Sequence, residues 1–437
     1  MNYRTSLAAL LLLAGLSPAQ AQTGVSLRDA VRHALQDNTD VKKQNLAILQ
    51  SRQRLQEVNG QGLPQISGTG QLVDNLLLPQ TMLPGDILGQ PGTTIPMKMG
   101  VQYNIPFAVR ADQMLYNQAW IVARQQAKAG GELADAQAGK TRQDVAYNTA
   151  TAYYQALILR EQADLVRANL HQVEQSLSAV RSQYENQMAR KIDLDQLQVT
   201  YANTSTDLQN TQVQFAYALD NLKLLMGYPI GDTLVLSEPI DEVALPAPPN
   251  TVANNPKVAL LDAQELAKVL EIKSIKAKYL PSLAAFGSYG YQSQFSDWDN
   301  MPWSSNAAIG LQLSVPLFDG LQKHRQVKQR SLELDAIRLD RTLLDNSLNV
   351  EYRNAVQRYT QNQRTVANQE ANLELANSVY AAVQNNFRNG LASLTDLITS
   401  DTAQKEARSQ YLTALLQARI ALLDILYVNG GMEELGN

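Results

Sequence analysis

Proline placement limits what this chain can fold into more than any other feature. Prolines stand at 64, 79, 84, 91, 96 and 106, and again at 229, 239, 246, 248, 249, 256, 281, 302 and 316. Two long stretches, 107–228 and 317–437, hold none. A proline costs about 3 kcal/mol inside a helix, so stretches free of it and filled with Ala, Leu, Gln, Glu and Arg read as long helices. Apolar spacing agrees. Leu332, Ala336, Leu339 and Leu343 step by 4, 3 and 4, as do Ala376, Tyr380, Val383 and Phe387, the seam spacing of helices packed side by side. Each zone breaks once; in the second, Phe387-Arg388-Asn389-Gly390 is a stop and Ser393-Leu394-Thr395-Asp396 a restart. The reading predicts long helices over about 108–185 and 320–386, and return helices over about 192–227 and 393–429. A helix over 320–386 would be about 100 Å long at about 1.5 Å per residue, and such a rod needs neighbours.

The segments ahead of each zone have the opposite period. Apolar and polar or small residues alternate from Met97 to Ile105, from Ile309 to Val315 and from Gln65 to Leu72, and a further segment carries Leu283, Ala285, Tyr289 and Tyr291 on one face. Strands are predicted over about 64–75, 96–107, 281–294 and 306–318. Period two with one polar face fits barrel strands, apolar toward lipid and polar toward a lumen, which makes Gln65, Gln71, Lys98, Gln102, Asn104, Gln312 and Ser314 candidate lumen residues. A soluble sheet would show the same alternation. The N-terminus and the long helices favour the barrel.

At that N-terminus Arg4 precedes an apolar run, Leu7 to Leu16, followed by Ala19-Gln20-Ala21. This is the pattern of a secretory leader over 1–21, with the mature chain expected from Gln22. Cysteine is absent, which excludes a disulfide framework, and a lipid anchor on residue 22. No later stretch approaches 18 consecutive apolar residues, so a transmembrane helix is not expected; a membrane location would need strands in a closed barrel. The net charge of −4 is too mild and too evenly spread to suggest nucleic acid as partner. His33, His171 and His324 stand far apart, without ligand spacing, and there is no Gly-rich phosphate loop or Gly-x-Ser-x-Gly. Neither catalysis, a cofactor nor a metal is expected.

The chain also repeats itself. Leu63-Pro64-Gln65-Ile66 corresponds to Leu280-Pro281-Ser282-Leu283, and Gly100-Val101-Gln102 with Ile105-Pro106 to Gly310-Leu311-Gln312 with Val315-Pro316. Tyr184, Ile192-Asp193-Leu194 and Gly227 correspond to Phe387, Thr395-Asp396-Leu397 and Gly430. Each half reads helix, strand, strand, long helix, helix: a first repeat over 22–227 and a second over 256–437, joined by a Pro-rich linker over 228–255. Two strands per half make four per chain. About eight are needed to close even a small barrel, so either copies combine, three giving twelve strands, or the sheet is soluble.

With the duplicated plan, the Leu-Pro strand entries at 63 and 280, the run Val315-Pro316-Leu317-Phe318-Asp319-Gly320 and the turn Phe387 to Gly390 leading to Thr395-Asp396-Leu397, the chain resembles the outer-membrane efflux family, the TolC-like channels, over essentially its whole mature length. The resemblance implies a mainly α protein with a small β-barrel portion. It implies a homotrimer with a twelve-stranded barrel in the outer membrane of a Gram-negative bacterium, continuous with a long periplasmic α-helical tunnel. It further implies a passive exit duct, with a periplasmic adaptor (membrane fusion) protein and an inner-membrane transporter as partners and outer-membrane lipid around the barrel.

The family's tip carboxylates carry over onto Asp193 and Asp396, six in a trimer, a ring that favours cations. An Asp in the first turn of a helix is also favoured by the helix dipole alone, by about 0.3–1 kcal/mol. Two departures stand out: Gln187 where the second repeat has Gly390, and Ala392 where some members carry an Arg, with Arg190 and Arg388 the basic residues nearby. Asp297, Trp298, Asp299 and Trp303 read as a surface loop or interfacial anchor, and 76–96 as a longer partner loop. The competing reading is a secreted coiled-coil scaffold, periplasmic or on the cell surface, with a soluble β-cap.

Overall fold

The computed structural model describes residues 24–84, 86, 89, 91–239 and 255–436. The expected leader over 1–21 and most of the expected linker, 240–254, lie outside these residues. In chain order the elements are α1 (Leu27–Asp37), α2 (Thr39–Gly60), β1 (Gln65–Gly70), β2 (Val73–Asp74), β3 (Gln80–Pro84), β4 (Thr94–Lys98), β5 (Tyr103–Asn117), α3 (Gln118–Glu185) and α4 (Lys191–Met226). After the linker come α5 (Pro256–Ala277), β6 (Ser282–Phe295), β7 (Trp303–Ser314), α6 (Gln322–Arg388), α7 (Leu394–Asn429) and a closing 3-10 turn, Met432–Gly436. The chain divides into two compact units. One holds residues up to Leu46, Asp135–Leu260 and Arg341–Asn437; the other holds Ala47–Ala134 and Leu261–Asp340.

The first unit is helical. Its core gathers Ala150, Tyr153, Tyr154 and Leu157 of α3, Leu222 and Met226 of α4, and Leu412, Leu415, Leu423 and Leu426 of α7, with Ala30 and Val31 of α1. Of the described helices, α7 is the one long and apolar enough to cross a membrane, but 56% of its apolar window is buried, as a core helix requires. Main-chain pairing secures the N-terminal segment: Val25 N–H donates to Val235 O at 2.8 Å, and Val25 O accepts from Ser237 N–H at 3.2 Å. Ser26 caps α1 by accepting from Asp29 N–H. Arg160 holds the other side, donating to Leu236 O and Glu238 O at 2.8 and 2.9 Å.

The second unit carries the sheet, in the order β1-β5-β6-β7, all neighbours antiparallel, with β2 also on β5. Strands β3 and β4 form a hairpin of their own. Two expectations are corrected here. The stretch 108–117, expected as the start of the long helix, is strand: β5 runs to Asn117 and α3 begins at Gln118. The absence of proline misled, because the interior of a paired strand excludes proline as a helix does. The local signal lies ten residues further on, where Asn117 Oδ1 accepts from Trp120 N–H at 3.2 Å, an N-cap. The strand expected over 96–107 is also split. Met97 and Lys98 belong to β4, the chain turns at Gly100, and β5 starts at Tyr103. At the far end β7 stops at Ser314, short of the expected 318, and Asp319 Oδ2 accepts from Lys323 N–H at 3.1 Å as α6 begins.

Helix α4 stops at Gly227, whose φ of 67° is left-handed, and any Cβ there would collide with the carbonyl of Asp37. Gly390, at φ 73°, faces open space. Gly390→Ala should therefore cost only the left-handed penalty of about 1–2 kcal/mol, whereas Gly227→Ala must also displace the α1–α2 turn. Thermal melts in detergent should place Gly227→Ala clearly below Gly390→Ala; equal melting points would remove the role given to Asp37.

Candidate functional site

Strand pairing sorts the sheet into two faces, because directly paired residues of antiparallel strands point the same way. One face carries Ile66, Phe107, Val109, Tyr289, Tyr291, Ile309, Leu311 and Leu313. These apolar side chains are open: Ile309 is 94% exposed, Ile66 73% and Leu311 69%. The other face carries Gln65, Ser67, Thr69, Asn104, Arg110, Asp112, Ser288, Gln292, Gln294, Asn306, Gln312 and Ser314. At one end of the apolar face Trp303 stacks on Tyr291 at 4.8 Å between ring centroids and lies 6.1 Å from Phe107. Trp298 packs on Tyr103 and Phe295 at 4.9 and 5.0 Å.

Of the seven lumen candidates, Gln65, Asn104, Gln312 and Ser314 share the polar face. Lys98 does not, because it pairs with Gln80 in the separate hairpin; its assignment to the wall is corrected. Gln71 and Gln102 stand outside the strands. Gln71 N–H donates to Pro106 O at 3.2 Å, and the Gln102 amide donates to Asp74 Oδ1 at 3.3 Å. Sequence reasoning missed Arg110 and Asp112, which the misplaced helix start had put on α3. The Asn117 cap and the separation of two residues between a basic and an acidic side chain, on one face of a strand, would have found them.

The two helix turns meet at a second apolar cluster. Val180, Leu194 and Leu197 from the α3–α4 side pack with Tyr380, Leu394 and Leu397 from the α6–α7 side. Beside it the two acidic residues are held differently. Asp396 closes a capping box: Ser393 Oγ accepts from Asp396 N–H at 3.2 Å, and Ser393 N–H donates to the Asp396 carboxylate at 3.0 Å. Asp193 has no such partner at its cap, where Arg190 stands; instead Arg190 forks onto it with bonds of 2.9 and 2.8 Å. The Arg190 guanidinium holds the Asp193 carboxyl below the usual carboxylate range, and the bonds from Ser393 do the same for Asp396. Gln187 takes a left-handed φ of 63° where the second turn uses Gly390. Arg388 ends α6 exposed.

Residues 247–431 match the family model described as outer membrane efflux protein. Over these residues, fewer than half of the chain, it is similar to that family. The chain is similar to the alkaline protease secretion protein AprF of Pseudomonas aeruginosa, 23% identical over 306 residues, a match spanning 66% of this chain and 63%, under two thirds, of that relative. It is similar to the outer membrane protein TolC of Vibrio cholerae, 22% identical over 352 residues, 74% of this chain and 79% of the other. It shares its fold with the CmeC outer membrane channel of Campylobacter jejuni, at a TM-score of 0.72 and 15% identity over 93% of this chain and 86% of that one.

The carboxylates of the two turns also set a pH response. Each is depressed, so as pH falls the unfolded chain takes up these protons first. The stabilisation is complete above the unfolded value of about 3.9 and fades as pH drops through the lower folded value. The protection of the amides in the first turn of α7 against hydrogen exchange, relative to their intrinsic rates at the same pH, should therefore fall below about pH 4. Asp396→Asn should remove that response, and Ser393→Ala should cost about 1 kcal/mol near neutral pH and less once Asp396 is protonated. A response that survives Asp396→Asn would reassign it to another group.

Proposed function

We propose that the chain is one third of a passive exit duct of a tripartite efflux or export system. The carrying observation is the sheet, which is four strands wide, apolar and exposed on one face, polar on the other, and unpaired at the outer sides of β1 and β7 within the chain. Lipid offers no hydrogen bonds to bare strand edges, each unsatisfied group costing several kcal/mol, so only a closed barrel is stable there. Four strands are too few to close. Pairing β1 of one copy with β7 of the next, three copies make twelve strands around the polar face. The aromatic group around Trp298 and Trp303 suits a membrane–water boundary. The helices supply the periplasmic part, and Asp193 and Asp396, twice three carboxylates, line its constriction. A periplasmic adaptor protein opens it by shifting the packing of the two turns, and an inner-membrane transporter delivers the cargo.

Single-particle images of the detergent-extracted chain should show threefold particles, whereas a monomer released by salt or carbonate would support a scaffold instead. Ile309→Arg places a charge on the lipid face, at a cost of about 2–4 kcal/mol near the bilayer midplane, and should abolish assembled barrel. Gln312→Arg, on the opposite face, should leave assembly intact. Equal tolerance of both would sink the membrane barrel.

A further inference from the structure

The proposed duct makes the polar face of the sheet the wall of the conduit, and any role for that wall in transport rests on the duct. Strands β1, β2, β5, β6 and β7 together hold three charged residues, Asp74, Arg110 and Asp112. Asp74 pairs with Tyr103 and so shares the apolar side, where Gln102 meets its carboxylate. All the formal charge of the wall therefore falls on Arg110 and Asp112. The remaining wall side chains are amides, hydroxyls and small residues, with Pro106, Met114 and Phe286 the larger uncharged ones.

These two residues are locked to each other and to the wall. Arg110 Nε donates to Asp112 Oδ2 at 2.8 Å, and Nη2 to Oδ1 at 2.9 Å. The guanidinium lies over the ring of Phe286, 4.8 Å from its centroid. Phe286 is the direct β6 partner of Asp112, and on its other side it faces Gly310 of β7. A Cβ at Gly310 would come within 2.8 Å of the ring, so the ring occupies the space a side chain would take. The cross-strand neighbours of Arg110 are Ser67 and Ser288, too short to screen the pair from the lumen. The pair is a raised feature on a low wall, with both its members engaged: a bidentate carboxylate and an aromatic face leave the guanidinium little reason to reorganise around a passing anion.

We propose that Arg110 and Asp112 set the charge preference of the barrel section by cancelling it. The wall then passes solutes of either sign and meets them through hydrogen-bonding groups, and sign selection is left to the tip. Threefold repetition sharpens the consequence, since removing either partner converts a neutral wall into one carrying a ring of three like charges.

The test uses the full chain in planar bilayers under a salt gradient, in an Arg190→Gln, Asp193→Asn and Asp396→Asn background, which removes both tip carboxylates together with the guanidinium paired to one of them. The background should show a potassium-to-chloride permeability ratio near one. Asp112→Asn should shift the ratio severalfold toward chloride, Arg110→Gln severalfold toward potassium, and the double substitution should return it to the background value. The two single variants are independent routes to the same wall, so if one fails to fold the other decides. Steady currents whose ratio neither single substitution moves would overturn the inference while leaving the duct standing. No current from any inserted variant would overturn the duct itself, and this inference with it.

Discussion

The structure depends on where the backbone hydrogen bonds of one sheet go. Strands β5 and β6 are flanked on both sides, but β1 and β7 each leave one side without a partner among the described residues. In water such edges would be solvated. Beside lipid they would have to be paired, and the sheet leaves an apolar face open through Ile66, Ile309 and Leu311. In the proposed duct, assembly is a backbone requirement before it is a matter of side chains. Period two puts Gln65, Asn104 and Gln312 on the opposite, polar face.

The helical unit solves a different problem. Its core is a conventional one, in which Tyr153, Leu157, Leu222 and Leu426 bury completely, and main-chain bonds at Val25 tie the start of the described chain to the segment after α4. The two turns beyond that core hold matching acidic positions by unlike means. One is a capping box and the other an ion pair with an exposed Arg190. Bonds to Ser393 persist at any salt concentration, whereas the Arg190–Asp193 pair is screened by it. Two turns of the same plan thus differ in what loosens them.

How far this was legible depends on the distance over which each feature is encoded. The long helices and their breaks follow from proline exclusion and apolar spacing, both local, and Ser393 with Asp396 announced its cap by spacing alone. The helix start at 118 was missed because proline exclusion cannot separate helix from paired strand, while the single informative residue, Asn117, carried less weight. Lys98 was misplaced for a related reason. An unbroken alternation from Met97 to Ile105 does not say that Gly100 turns the chain between two different sheets.

By itself the sequence determined the periods: long helical seams, two-faced strands, the two acidic positions after the turns, and a family resemblance spread across both halves. Only the tertiary structure decided which strands are neighbours and in what register. That choice placed Phe286 between Gly310 and Asp112, set Arg110 over its ring, and separated the wall from the hairpin that carries Lys98. The physical reason is that a strand's own pattern names its faces but not its partners. Residues 110, 286 and 310 meet through pairings formed across the chain, and local spacing carries no record of them.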